Sequence, residues 1–279
     1  MISLNEEHNI EGVLENLKDW AQEVILVDSY SSDRTVEIAL QAGIRVVQRK
    51  FIDFGDQWNF AVNKLDTKAK WTMKLDPDER ISDELKNNLI KKMSNSSSFN
   101  GFSITRHLWF MGSRLPVKDS LIRVWKTGKC RFTDVAVNEH PIVEGLIDQV
   151  DGELEHHDSP DLYHWLNKQN NYTTAEARII FKNKNLARKP NFFGDALSRR
   201  MWIKKHFYDV PFRYILLFSY LYLIRGAFKA GRVGYVWCKL RCDVMRLIEY
   251  KAFEMRKKNT SKVIKIKGEG KPDLRVRQY

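Results

Sequence analysis

The chain has 279 residues, of which 43% are hydrophobic and 12% aromatic, so it can bury a large core and is not a disordered protein. Its net charge of +12 is unevenly distributed: residues 182–279 carry 25 Lys and Arg against 7 Asp and Glu, and residues 1–181 carry 22 against 28. The front is typical of a globular catalytic body, whereas the basic, aromatic tail favours an anionic surface such as phospholipid or nucleic acid. The three cysteines lack paired zinc spacing and no signal peptide is recognisable, so we expect a cytoplasmic protein.

Strand and helix patterns alternate over the first 95 residues. After a short strand at the N-terminus, apolar runs predict strands at 24–27, 44–47 and 71–75. Helical spacing predicts helices around 10–17, from Asp33, over 56–65 and after Ser82. Such alternation predicts an α/β fold with a mixed, mostly parallel sheet flanked by helices.

The remainder is less regular. We expect a loop at 94–100, short strands at 102–105, 121–125 and 136–137, a helix from Leu162, and a basic helical region from Asn191 that is broken at Pro211. The predicted organisation is a catalytic domain at 1–180, a basic amphipathic helical region at 181–258 and a flexible tail at 259–279.

Acidic residues follow two of the predicted strands. Asp28 ends the strand at 24–27, and Asp76-Pro77-Asp78 follows the strand at 71–75. Ligands of parallel α/β sheets bind beyond the carboxyl ends of the strands. Two carboxylates one residue apart can hold a divalent cation, which would neutralise a diphosphate oxygen. The alternative is that these acids only cap turns and helices.

Four sequence blocks resemble those of the family 2 glycosyltransferases with a GT-A fold, and within that family the bacterial lipopolysaccharide core β-glucosyltransferase type. The blocks are Leu4–Ile10, Val27–Ser29 with Ser32–Thr35, Gln57–Ala61 and Leu75–Arg80. The resemblance covers roughly residues 1–180, and the basic region resembles the family's membrane-associated helical tail more loosely.

The resemblance implies an inverting enzyme that moves glucose or a related hexose from a UDP-sugar to a lipid-linked, lipopolysaccharide or polysaccharide acceptor. It implies the following donor contacts: Asn5 and Glu6 near the nucleotide, Asp28 at the uracil or ribose, Gln57 and Asn59 flanking the base, and Asp76 beside the ribose and sugar.

The same resemblance implies a Mn²⁺ or Mg²⁺ cofactor. Asp78 is the expected main ligand and His156 a candidate third ligand, with His157 competing for that role. An inverting transfer also needs a base, and Glu139 is the candidate because Val137-Asn138-Glu139-His140 resembles a Val-His-Glu block of the family. The alternative for Glu139 is a surface acid in a turn before Pro141.

The apolar run 214–224 is too short to span a bilayer. Its basic and aromatic flanks predict an interfacial helix on the anionic inner leaflet, and hence a peripheral enzyme with a glycolipid acceptor. A buried core helix is the alternative.

Two other functions remain open. The basic, aromatic tail could bind nucleic acid, but acids at strand ends would repel phosphate unless a metal intervenes, and we expect no nucleic-acid partner. A metal-dependent nucleotidyltransferase would also use paired acids, but it usually needs a glycine-rich phosphate loop, which the sequence lacks.

Overall fold

The computed structural model describes residues 1–95, 98–133, 139–181, 190–194 and 196–259. These form two compact units. The first comprises Met1–Trp109 and Lys118–Pro160, and the second comprises Phe110–Val117 and the described residues from 161 to 259. The predicted strands at 136–137 and the tail beyond residue 259 lie outside the described residues.

A small parallel sheet opens the first unit. Its strands β1 (Ile2–Ser3), β2 (Ile25–Asp28) and β3 (Arg45–Gln48) stand in the order β1-β2-β3. The helices α1 (Glu7–Leu17) and α2 (Thr35–Gln41) connect them, and α3 (Phe54–Asn63) follows β3. All of these elements were predicted, to within a few residues, because their apolar positions repeat at the strand or helix period.

A second sheet has five strands in the order β4-β7-β6-β10-β5. The remaining elements up to residue 160, in chain order, are β4 (Trp71–Met73), β5 (Glu79–Ile81), α4 (Asp83–Asn95), β6 (Phe99–Phe110), β7 (Ser113–Lys126), β8 (Cys130–Phe132), β9 (Pro141–Val143) and β10 (Leu146–His157). Strands β6 and β10 pair in parallel, whereas β4–β7, β5–β10 and β8–β9 pair antiparallel.

The mixed α/β fold is therefore confirmed, with differences in detail. The predicted loop at 94–100 is wrong at both ends, since α4 continues to Asn95 and β6 begins at Phe99. The sequence did not predict β5 or β10. Strand β5 is short and charged, and β10 is polar along much of its length, so neither carries a continuous apolar signal.

The core of the first unit lies between the helices and the two sheets. Its fully buried side chains come from every layer: Ile10 and Val13 of α1, Leu26 of β2, Leu85 and Leu89 of α4, Phe102 and Ile104 of β6, and Val150 and Leu154 of β10. Burial of such a side chain stabilises the fold by about 1.5–3 kcal/mol. Ser82 begins α4 as predicted, because its hydroxyl accepts a hydrogen bond from Leu85 N at 3.2 Å.

The second unit is mainly helical, with α5 (Leu162–Phe181), α6 (Ala196–His206), α7 (Arg213–Ser219) and α8 (Gly231–Lys257). The predicted break at Pro211 is confirmed. Helix α5 packs on α8, where Lys251 Nζ donates hydrogen bonds to Asn170 O, Thr173 Oγ1 and Thr174 Oγ1. The proposed functional boundary at residue 180 stays a prediction, although α5 shares a compact unit with α8. Among the described residues, no helix combines the length and apolarity needed to cross a bilayer.

Gly152 lies at an irregularity in the pairing of β10 with β6 and has a φ of +109°. A Cβ there would lie 2.6 Å from backbone atoms of Leu85 in α4. We expect Gly152→Ala to lower the free energy of unfolding by about 3 kcal/mol, because it adds steric overlap to backbone strain. Urea unfolding measures the loss.

Gly43 provides the matched control, since its φ is +73° and a Cβ there would meet nothing within 4 Å. Gly43→Ala is expected to cost only the backbone term of about 1 kcal/mol. Equal losses for the two variants would contradict the close approach of β10 to α4.

Candidate metal and nucleotide site

Asp28 is fully buried at the end of β2 and organises the chain around it. Its Oδ1 accepts hydrogen bonds from Ser3 Oγ at 2.9 Å and from Ser31 Oγ. Its Oδ2 accepts from Ser31 N at 2.9 Å and Gln48 Nε2 at 3.1 Å. The carboxylate therefore ties together the ends of all three parallel strands.

Asn5 and Glu6 follow β1 and are joined to the loop after β2. Asn5 N donates to Ser31 Oγ at 2.8 Å, and Asn5 Oδ1 accepts from Ser32 N at 2.8 Å. Glu6 N donates to Thr35 Oγ1 at 2.8 Å. Asn5 has a φ of +56°, a left-handed conformation that Asn tolerates better than most residues. The structure thus brings Asn5, Glu6 and Asp28 to one edge of the sheet.

Gln57 and Asn59 lie on α3 and have different surroundings. Gln57 is fully buried, donates to Ser29 Oγ at 3.2 Å and accepts from Arg49 Nη1 at 3.1 Å. Asn59 bonds the backbone of Phe132 with both ends of its amide, at 3.1 and 2.8 Å. Gln57 therefore belongs to the Asp28 side of the site, whereas Asn59 holds β8 against α3.

Arg80 fixes the turn that contains the paired acids. Its Nη1 donates to Pro77 O at 2.7 Å and Glu79 O at 2.8 Å, and its Nη2 donates to Asn9 O at 3.0 Å. Burial lowers the pKa of Arg80 from its ordinary value. Gly12 leaves room for the guanidinium, because a Cβ at that position would lie 2.6 Å from Arg80 Nη2.

Asp78, His156 and Asp158 form a cluster of possible metal ligands. One ligand atom from each lies within 4.8 Å of the others, and His156 Nε2 is 3.2 Å from Asp78 Oδ2. The register of β5 on β10 explains this, since His156 lies opposite Glu79. Burial by itself would lower the pKa of His156, but the Asp78 carboxylate raises it above the ordinary value.

The side chain of His157 lies apart from this cluster. Its ring stacks on Trp109 with centroids 5.2 Å apart, and its Nε2 lies 3.0 Å from Glu155 Oε2. Its backbone contacts the acidic turn, where His157 N donates to Asp78 O at 2.7 Å. Of the two candidate histidines, the structure therefore brings His156 to Asp78.

Arg123 of β7 links the acids that follow β4. It is 4% exposed, forms a short ion pair with Glu79, and its Nη2 lies 3.3 Å from Asp76 Oδ2. Burial by itself would lower the pKa of Arg123, but Glu79 and Asp76 raise it above its ordinary value. Burial also raises the pKa of Asp76, but Lys74 and Arg123 outweigh it and lower that pKa.

Glu139 forms an ion pair with Lys74 at the same end of the second sheet. Lys74 Nζ lies 2.6 Å from Glu139 Oε1, and both side chains are largely buried. The alternative of a solvated surface acid does not describe this environment. Residue 138, which departs from the family block, lies outside the described residues.

Sequence reasoning missed Asp158, Arg123 and Lys74. Asp158 follows the histidine pair directly, but β10 was not predicted and its end could not be located. Arg123 and Lys74 lie in apolar runs that predict strands. A charged residue inside such a run is the signal that could have identified them as functional candidates.

Residues 1–138 match the family model described as glycosyl transferase family 2. The chain belongs to this family. Its paired acids, Asp76 and Asp78, lie within the matched segment, whereas His156 and Asp158 follow it. The protein is accordingly a glycosyltransferase.

Relatives and solved structures agree with this assignment. The chain is 24% identical over 223 residues to an uncharacterized glycosyltransferase from Rickettsia typhi, which covers 75% of each chain. It is 24% identical over 247 residues to the lipopolysaccharide core biosynthesis glycosyltransferase LpsC from Rhizobium meliloti, which covers 85% of this chain and 84% of that protein.

The mannosyltransferase PcManGT from Pyrobaculum calidifontis, solved with GDP-Man and Mn²⁺, has the same fold. Its TM-score is 0.51 at 15% identity, over 90% of this chain and 85% of that chain. The comparisons therefore establish the family and the fold.

Arg123 and Glu79 provide a test of the buried charges. We expect Arg123→Met to lower the free energy of unfolding by about 3–5 kcal/mol, because it leaves the fully buried Glu79 carboxylate without its main counterion. The double variant Arg123→Met/Glu79→Met should lose at least about 2 kcal/mol less than the sum of the single variants. Urea unfolding of all four proteins completes the cycle, and strictly additive losses would show that the two charges are not coupled.

Proposed function

We propose that the protein is an inverting glycosyltransferase that moves glucose or a related hexose from a UDP-sugar to a lipid-linked, lipopolysaccharide or polysaccharide acceptor. The observation that carries this proposal is the cluster of Asp78, His156 and Asp158. Asp78 follows Asp76 by two residues in the turn after β4, at the end of the second sheet. The relative LpsC, named for lipopolysaccharide core biosynthesis, supports this class of acceptor.

The donor atoms of the cluster suit a divalent cation. Two carboxylates and an imidazole together accommodate Mn²⁺, and Mg²⁺ is bound through carboxylates and substrate phosphates. Asp78 and His156 are the proposed ligands, and Asp158 is proposed as a third because its carboxylate lies within 4.8 Å of both. When bound, the cation supplies a positive charge that stabilises the departing diphosphate.

The nucleotide is proposed to lie at the edge of the parallel sheet. Asn5, Glu6 and Asp28 meet there and Gln57 packs behind Ser29, which supports a role for all four in shaping the base and ribose site. Asn59 is proposed to act there through Phe132, to whose backbone it bonds. Asp76 follows β4 and is the proposed contact to ribose and sugar.

Glu139 is the proposed catalytic base. Its carboxylate accepts the proton of the acceptor hydroxyl while that oxygen forms a bond to the anomeric carbon. The bond from the anomeric carbon to the diphosphate oxygen breaks on the opposite face, so UDP leaves and the configuration inverts. The Glu139 side chain is largely buried, which limits the access of water to the carboxylate.

Asp78→Asn tests the metal site. We expect the variant to fold and to lose at least about 100-fold in Mn²⁺-dependent affinity for UDP, because a neutral amide is a poor ligand for a hard cation. Titration calorimetry with UDP at saturating Mn²⁺, repeated with Mg²⁺ and with GDP, measures the loss and the nucleotide preference.

Asp83→Asn is the matched control, since this side chain is 92% exposed at the start of α4. It should bind as the wild-type protein does. A wild-type protein that binds UDP equally well with and without a divalent cation would overturn the proposed metal site.

The second unit supports a membrane-bound acceptor. Within the run 214–224, Ile215, Leu223 and Ile224 are 65%, 60% and 76% exposed, so the alternative of a buried core helix does not describe these side chains. Exposed basic residues, Lys229 and Arg232, follow in the same unit. Apolar side chains beside basic ones favour binding to anionic lipid, and we propose peripheral attachment to the inner face of the cytoplasmic membrane.

Leu223→Glu/Ile224→Glu tests this surface. We expect the double variant to lose at least about tenfold in binding to phosphatidylglycerol vesicles, because charged side chains are costly to insert into the lipid interface. Vesicle co-sedimentation measures binding, and Ile90→Glu, at an exposed position of α4, is the control. Equal binding of all three proteins, or of neutral and anionic vesicles, would contradict the proposal.

A further inference from the structure

Lys74 is a buried cation that the proposed reaction leaves without a role. Its side chain is 9% exposed, and its Nζ lies 2.6 Å from Glu139 Oε1, whose side chain is 11% exposed. Lysine is almost never buried to this extent unless its charge is paired. Within the described part of the chain, Lys74 is the residue that hydrogen-bonds the Glu139 carboxylate.

Aromatic rings enclose the ammonium group on another side. Lys74 Nζ lies 4.4 Å from the ring centroid of Trp58 and 5.3 Å from that of Phe132. These rings stack on each other at 5.6 Å, and both are 2% exposed. Asn59 bonds both backbone groups of Phe132, so the enclosure is held between α3 and β8. A cation over buried aromatic faces is restrained as well as stabilised.

The backbone of Lys74 is also held by a hydrogen bond. Its N–H donates to Arg123 O at 2.8 Å, which continues the pairing of β4 with β7 toward Asp76. Lys74, directly after β4, pairs with Glu139, and together with Arg123 of β7 it lowers the pKa of Asp76. The ammonium group therefore pairs with the proposed base, and Lys74 precedes the proposed sugar-binding acid, Asp76, by two positions in the chain.

We propose that Lys74 is a positioning residue for glycosyl transfer, which holds the Glu139 carboxylate in one orientation until the acceptor hydroxyl arrives. The inference rests on the proposed function of Glu139 as the base. A rigid ammonium partner reduces the rotamers open to the glutamate, and base catalysis depends on placement within hydrogen-bond reach of the proton. A buried carboxylate that loses such a cation binds a proton more readily.

Lys74→Met tests this role, because methionine retains much of the side-chain volume and removes the charge. We expect kcat at pH 7 to fall by about 10–100-fold, while the KM for the donor changes by less than about threefold. The acidic limb of the kcat profile should move at least about one pH unit to higher pH. Lys74→Arg, which keeps the charge, should restore kcat to within about fivefold of the wild-type value and return the limb toward its original position.

Two comparison variants make the experiment decisive. Lys129→Met removes a lysine from an exposed pair with Glu144 and should leave the kcat profile unchanged. Glu139→Gln should lower kcat by about 100-fold or more and abolish the acidic limb. Thermal unfolding of each variant identifies any loss of activity that follows from loss of the fold.

The outcomes separate this inference from the proposed function. If Lys74→Met lowers activity without moving the acidic limb, or leaves kcat unchanged, Lys74 does not position the base. If Glu139→Gln keeps wild-type activity, the base lies elsewhere and the proposed mechanism fails with this inference. Mn²⁺-dependent UDP binding by Lys74→Met, measured by calorimetry, should match the wild-type value, and its absence in the wild-type protein would overturn the proposed function itself.

Discussion

The buried ion pair between Arg123 and Glu79 determines where the acidic residues of this protein can lie. Glu79 is fully buried, and an isolated carboxylate in that position would be strongly destabilising. Glu79 is the first residue of β5, an edge strand of the second sheet, and Arg123 lies on β7, the strand next to the opposite edge. The ion pair therefore joins strands that are not neighbours in the sheet. The turn between β4 and β5, with Asp76 and Asp78, is thereby held in one conformation.

Several neighbouring contacts depend on that conformation. Arg80 binds the carbonyl oxygens of the turn from the side of α1, and β5 pairs with β10 so that His156 reaches Asp78. Besides Asp158, this end of the second sheet has four acidic side chains, those of Asp76, Asp78, Glu79 and Glu139, in partly buried surroundings. Lys74 and Arg123 offset part of this charge through direct contacts, and a divalent cation at Asp78 would offset more. A donor diphosphate would otherwise meet repulsion at this end of the sheet.

The two compact units divide the physical tasks. The first has the sheets, the hydrogen-bonded loops after β1 and β2, and the acidic residues. It includes most of the segment that matches the glycosyltransferase family. The second has a helical framework in which α5 and α8 are joined through Lys251, and it presents large apolar side chains to solvent. Exposed apolar groups of this size have a cost in water, and the lipid surface proposed as their partner would also attract the adjacent basic residues.

The sequence by itself determined the early elements, the family, and the acids at the strand ends. Apolar periodicity located β1 to β4 and α1 to α4 within a few residues, because local spacing is what separates a strand from a helix. The blocks around Asp28 and Asp76 are contiguous in the chain, so their order and spacing sufficed for the resemblance that the family match confirmed.

Tertiary structure decided which distant residues meet. The pairing of β5 with β10 brings His156, rather than the side chain of His157, to Asp78, with Asp158 close to both, and neither strand has an apolar pattern that reveals this in advance. The approach of Glu139 to Lys74 likewise joins residues 65 positions apart. Register and burial are collective properties of strands that lie far apart in the chain, and for that reason the charged contacts of the site became visible only in the folded protein.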